Sequence, residues 1–288
     1  MTLSLLLSGL LLAAAPENAV PADQQPFECT SCEAWNAAVE PRQLAANSWY
    51  VGTRGLGAAL IIDPEGLVLI DGGLPQSAER ILDNVRKAGF DPADIRWILN
   101  SHAHFDHAGG IAALARITGA KVAVGREGVI ALTGSPPYHP DDPQAAFGSL
   151  TLFPRVNDIR PVDDGDRITV GRTTITAVAS PGHAPGGMSW SWRSCDASGE
   201  CQSVVYLDSL NAVSADDYRF SDHPATVAAL RDSIRRVSVL PCDVATAAHP
   251  DQLPQAANGE SACARYAAAA GQRLQQRLVE ESKSSASP

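Results

Sequence analysis

The chain has 288 residues and only seven histidines, yet three of them, with one aspartate, fall between His102 and His107 in the stretch SHAHFDHAGG. Imidazole and carboxylate groups are costly to bury unless something binds them, and both are ordinary ligands for zinc. If the backbone is extended through His102 and His104, the two-residue period turns both imidazoles to one side, where they can share one cation. Asp106 and His107, in the turn that follows, can then hold a second. Four ligands in so short a stretch do not complete two tetrahedral shells, so further ligands must arrive from distant segments.

Two of the remaining histidines are placed to do so. His183 lies in SPGHAPGG between a strand end and a turn, and His249 lies in TAAHPD just past another strand. Sites in layered α/β folds are commonly built at the carboxyl ends of strands. His139, in a proline-rich stretch, and His223, between Asp222 and Pro224 ahead of a helix, read instead as surface or helix-capping residues.

The elements that must position these residues follow from periodicity. From Ala58, AALIIDPEGLVLIDGG gives two apolar runs about an Asp63-Pro64-Glu65-Gly66 turn, hence a buried hairpin. Ile81, Leu82, Val85 and Ala88 repeat at helical spacing from Ser77 until Gly89. A strand over 96–100 delivers the histidine cluster, followed by a helix from Ile111, a strand over 121–124 and a helix near Gly128. Residues 133–160, rich in Pro, Gly and Asp, read as a long surface loop of the kind that often serves a site beside it. Strands are expected over 167–170, 173–178, 188–192, 203–207 and 243–246. A helix is expected through Val227, Leu230, Ile234 and Val237, and a last one over 261–281. Two successive blocks of strands flanked by helices imply an α/β fold in which two sheets pack face to face with helices outside.

Composition narrows the partners. The balance of 32 acidic against 22 basic residues, a formal net charge of −10 without a Lys/Arg cluster, argues against nucleic acid. The apolar run from Leu3 to Ala15 is too short to span a bilayer and stands where a secretory signal would, so residues 1–22 read as a signal peptide. Because no Lys or Arg precedes Arg42, an apolar first helix of the mature fold is the alternative. No later segment suits a membrane span, and residues 282–288, SKSSASP, read as a disordered tail. Six cysteines agree with an exported chain, and sequence neighbours suggest Cys29 with Cys32, Cys195 with Cys201, and Cys242 with Cys263. A redox role for Cys29 and Cys32 lacks the expected βαβ context.

SHAHFDHAGG, the upstream LVLIDGG, the later SPGHAPGG and the series from DSLNAVS to AAHP resemble the metallo-β-lactamase superfamily over residues 23–281. Within it the chain is similar to the third subclass (B3) of true metallo-β-lactamases. That resemblance implies an αβ/βα four-layer sandwich of two mixed sheets with helices on the outer faces and the site at the edge between the sheets. It implies two zinc ions per chain, His102, His104 and His183 holding the first and Asp106, His107 and His249 the second. It implies a periplasmic or secreted monomer that hydrolyses the β-lactam amide of penicillins, cephalosporins and carbapenems, conferring antibiotic resistance. The nucleophile would be a hydroxide shared by the two ions and oriented by Asp106.

Ser209 and Asn211 are implied as substrate contacts, Ser209 also as the partner of a zinc-bound water. Recognition of a substrate carboxylate by charge then falls to a zinc ion or to Arg219. Ser209 stands where another subclass has a cysteine ligand. Lactonases and glyoxalase-II-like thioesterases share HxHxDH and usually place a zinc-bridging aspartate in the segment matching YLDSL, where this chain has Asp208. Asp208 facing the metals would favour those activities, and Ser209 facing the second ion favours a β-lactamase. A noncatalytic zinc-binding protein on the same scaffold would have an incomplete shell, whereas all six ligand residues are present here.

Overall fold

Strands that are apolar on both faces need a covering layer on each side. The computed structural model describes residues 20–134, 139–151, 153–255 and 259–284. One sheet takes its seven strands in chain order: β1 (Arg42–Ala45), β2 (Ser48–Tyr50), β3 (Ala59–Asp63), β4 (Gly66–Ile70), β5 (Ile95–Leu99), β6 (Lys121–Gly125) and β7 (Ile159–Val162). The second runs β12-β11-β10-β9-β8, from β8 (Arg167–Val170), β9 (Thr173–Ala179), β10 (Met188–Cys195), β11 (Cys201–Leu207) and β12 (Val244–Ala247). The first is antiparallel up to β4 and parallel from β4 to β7. In the second, β11 and β12 are parallel and the other pairs antiparallel. Both sheets are therefore mixed.

The helices are α1 (Cys32–Trp35), α2 (Ala78–Lys87), α3 (Phe105–Ala108), α4 (Ile111–Thr118), α5 (Gly128–Thr133), α6 (Pro224–Ser238) and α7 (Ala262–Ser284). Between the sheets, Ile61, Val68, Ile70 and Leu99 meet Ile175, Trp190, Trp192 and Tyr206. α2 and α4 cover the far face of the first sheet with Ile81, Leu82, Val85, Ile111 and Leu114. α6 and α7 cover the second with Val227, Leu230, Val237, Tyr266 and Leu274. Each buried side chain of this size contributes ~1.5–3 kcal/mol relative to exposure. The layers stack helix, sheet, sheet, helix.

The hairpin, α2, β5, α4, β6 and the strands of the second sheet stand where the spacing places them. Periodicity gives no sign of β1 and β2, which are four and three residues long. β7 starts in the last two positions of the stretch read as loop and has no strand signal of its own, because Pro161 disguises it; an edge strand tolerates a proline that an inner strand does not. Residues 105–108 form a helical turn rather than an open one. α7 continues through Ser284, into the stretch read as a tail, while residues 285–288 and residues 1–19 of the expected signal peptide lie outside the described residues. All three neighbouring cysteine pairs form, and Cys242–Cys263 ties the approach to β12 to the first turn of α7.

Candidate metal centre

β4 and β5 run parallel in the first sheet, and β9, β11 and β12 share one direction in the second, so their carboxyl ends meet along one edge. Asp71 follows β4, His102 follows β5, His183 follows β9, Asp208 and Ser209 follow β11, and His249 follows β12. His104 is the extended N-cap residue of α3, and Asp106 and His107 sit in its single turn. All six expected ligand residues therefore reach one place.

His102, His104 and His183 each offer a nitrogen within 4.8 Å of the other two, and all three are buried. The far side of each ring is held. His102 Nδ1 lies 2.7 Å from Asp208 Oδ1, and His183 Nδ1 donates to the Asn211 carbonyl at 2.9 Å, so both present Nε2 inward. His104 is turned the other way: its Nε2 lies 2.9 Å from Asp142 Oδ2. Burial pulls His102 well below the usual histidine range and, with His104 alongside, takes His183 down to about 3, so both rings are neutral and ready to donate a lone pair. For His104 burial acts in the same direction, but the Asp142 carboxylate outweighs it and raises the ring.

The second group is defined by three short distances. Asp106 Oδ2 lies 3.3 Å from His107 Nε2 and 3.2 Å from His249 Nε2, and the two nitrogens are 3.1 Å apart. A tetrahedral zinc with bonds of about 2.0 Å has ligand-to-ligand edges of ~3.3 Å, so these three atoms already describe one face of such a shell. Burial would push the Asp106 carboxyl up, but His107 and His249 hold it well below the carboxylate range. Burial lowers His249, and the bond from Asp106 reverses that and raises it. Among the described residues His102 Nε2 is buried without a hydrogen-bond partner, an arrangement native interiors avoid unless something is meant to bind. The donor set and its spacing fit a divalent metal.

A family model described as the metallo-beta-lactamase superfamily matches residues 52–197. The chain belongs to that superfamily. A solved B3 metallo-beta-lactamase with an active site glutamic acid is 43% identical, covering 91% of this chain and 99% of its own, with a TM-score of 0.85. The metallo-beta-lactamase SMB-1, crystallised with 2-mercaptoethanesulfonate, is 42% identical over 86% of this chain and 99% of its own, with a TM-score of 0.80. An N-acyl homoserine lactonase from Bacillus sp is 32% identical over 74 residues, 18% of this chain and 30% of the lactonase. The chain spans about half the length of the curated relatives it matches over the longest stretches. It is a hydrolase whose fold matches those B3 metallo-beta-lactamases over 86–91% of the chain.

Around this metallo-beta-lactamase centre further residues are bonded to the ligands or packed beside them. Asp71, at φ +63°, accepts from Asn100 Nδ2, Ser101 N and Oγ, and Tyr206 OH at 2.6–3.0 Å, and its Oδ2 faces His107 Nδ1 at 3.7 Å. Asp208, raised well above the carboxylate range by burial, also accepts from Ser180 Oγ at 3.3 Å. A side chain at Gly187 would put a Cβ 2.5 Å from Asp208 Oδ2, so the turn beside it must be glycine. Ser209 Oγ is buried and, among the described residues, without a partner. The Asn211 amide is engaged at both ends, donating to Gln252 Oε1 and accepting from Arg273 Nε, each at 2.6 Å.

Arg219 is turned away, donating to the Glu281 carbonyl. His139, expected at the surface, is buried instead, its Nδ1 accepting from the Asp141 amide. His223 is exposed at the N-cap of α6, stacked on Tyr218 without a side-chain capping bond. Among the described residues no helix is long and apolar enough to cross a membrane.

Proposed function

We propose that the chain is a zinc-dependent β-lactamase, exported to the periplasm or secreted, that opens the amide of penicillins, cephalosporins and carbapenems and so confers resistance. Two zinc ions, one on His102, His104 and His183 and one on Asp106, His107 and His249, would supply Lewis acidity and lower the pKa of a shared water toward ~7. The observation that carries this reading over a lactonase or thioesterase is the position of Asp208. Its Oδ1 is joined to His102 Nδ1 and its Oδ2 to Ser180, which makes it an orienter of a ligand and takes it out of the space between the two groups. Ser209 Oγ, on the next residue, is buried and has no hydrogen-bond partner among the described residues, so a substrate group that reached it would meet an unspent donor.

The chain's own groups divide the work. Asp106 would help hold the second zinc and orient the attacking water with its carboxylate. Asp208 and the Asn211 carbonyl fix the Nδ1–H tautomers of His102 and His183, and Asp142 fixes the Nε2–H tautomer of His104. Ser209 donates to the substrate carboxylate. Asn211 contacts substrate with its side chain only when its bonds to Gln252 and Arg273 open.

The test is turnover of a penicillin, a cephalosporin and a carbapenem by purified protein, with and without chelator, beside a thioester and a homoserine lactone. Chelator-sensitive β-lactam hydrolysis is expected. Absent β-lactam turnover with rapid loss of the lactone or thioester would replace this reading with one of its relatives'.

A further inference from the structure

We propose that Asp142 is a positioning residue for the first metal group, and that docking of the 139–146 segment and occupancy of that group form one equilibrium. The inference rests on the metal reading above but not on the substrate.

Three observations carry it. His104 is the one member of its group whose outward nitrogen is Nε2, and the acceptor there comes from neither sheet but from a Pro- and Asp-rich surface segment. The Asp142 side chain is only 9% exposed, and among the described residues its ion-pair partner is His104, not a Lys or Arg. A buried carboxylate whose partners are one imidazole and one backbone amide is costly unless that imidazole is polarised from its other side. A metal at Nδ1 would do that, by drawing on the ring and strengthening the Nε2–H bond to the carboxylate.

One further contact of the segment reaches the same group, while His139 pairs with Glu127 at 3.5 Å. Asp142 Oδ1 accepts from the Gln144 amide at 2.8 Å, and this turn brings Gln144 Nε2 to 3.4 Å from His183 Nε2, a contact that a metal on that nitrogen would displace. The Ala215 amide donates to the Pro143 carbonyl, and the Asp142 amide to the His139 carbonyl. The segment thus touches two of the first group's three ligands. Among the described residues it makes no hydrogen bond or ion pair with Asp106, His107 or His249. If metal strengthens the Asp142 bond, docking strengthens metal binding by the same factor.

The experiment uses the full chain at pH 8, loaded with zinc or stripped by chelator. Hydrogen exchange of the 139–146 peptide is read beside zinc affinity from competition with a chromophoric chelator. Asp142→Asn is the main variant: with one oxygen it serves Gln144 or His104 but not both. Asp142→Ala serves neither, and Asp141→Asn, at an exposed neighbour, is the control. Zinc is expected to slow exchange of the peptide about tenfold or more in the wild type and in Asp141→Asn. Asp142→Asn should lose that dependence and bind its first zinc about tenfold to a hundredfold more weakly, with the second affinity kept. In the cobalt(II)-substituted protein, the absorption bands of the first group should shift in Asp142→Asn alone of these two. Wild-type zinc affinity and zinc-dependent protection in Asp142→Asn would overturn the proposal while leaving the metal reading intact. A wild type that binds no zinc would overturn both.

Discussion

The two halves of the metal centre are assembled by different means. Asp106 and His107 come from one turn of α3, and with His249 their ligand atoms already lie 3.1–3.3 Å apart. Their backs are lightly held: His107 Nδ1 is 3.7 Å from Asp71, and His249 Nδ1 is 3.2 Å from the Gly55 carbonyl, its ring tilted against Trp35. His102, His104 and His183 have ring centroids 4.6–5.0 Å apart, much like the 4.7 Å between His107 and His249, but each of their outward nitrogens meets an acceptor at 2.7–2.9 Å. One half is gathered by the local path of the chain and a single negative charge. The other is aimed by three bonds from distant parts of the molecule. Proximity without fixed orientation favours a looser metal, so the second half should exchange its ion more readily than the first.

The largest test of that contrast removes the charge that gathers the second half. Asp106→Asn should lower kcat/KM by about 10³–10⁴-fold while retaining the first zinc, because the orientation of His102, His104 and His183 does not run through it. Loss of both metals together would break the distinction.

A group outside both halves provides the next test. Burial pushes the Glu281 carboxyl up, but Arg277 and the Ser221 and Phe220 amides outweigh it and bring it from 4.5 to about 2. Because the folded value is the lower one, the stabilisation is complete above pH 4.5 and disappears as pH falls toward 2. In urea unfolding of metal-free protein, wild type should exceed Glu281→Gln by about 3 kcal/mol at pH 6, with the gap closing by pH 2. A gap independent of pH would mean the carboxylate is not the cause. The smallest effect is a difference in affinity: chelator titration should remove zinc in two steps separated by about tenfold, and His249→Ala should lower zinc content from about two per chain to about one with the tighter step kept.

The contrast also separates what the sequence makes legible from what it hides. His102, His104, Asp106, His107, His183 and His249 stand out because histidine is scarce here and each lies at a strand end or next to one. Their holders do not stand out. Asp142 is one of several acids in a proline-rich stretch, 38 positions from His104, and nothing in its neighbours marks it as buried. Asp208 is visible, but an aspartate there has two readings, and only the direction of its oxygens chooses between them. Arg219 looks like a free cation in the text and is tied to α7 in space. In the fold, long apolar runs reveal β3, β4, β5 and β11, while β1, β2 and proline-bearing β7 depend on their neighbours in the sheet for definition. Local pattern reveals ligands and inner strands; long-range hydrogen bonds have no local pattern.

Asp71 has one further consequence. Its carboxylate takes bonds from Asn100 and Ser101 at the end of β5 and from Tyr206 on β11, so a single side chain fastens the rims of both sheets. His102 follows the residue it grips, and His107 faces it. The sheets cannot slide past each other at this edge without stretching those bonds. Asp71 therefore acts as a caliper, setting the gap between the two halves of the centre to a mechanical tolerance finer than inter-sheet packing alone would give.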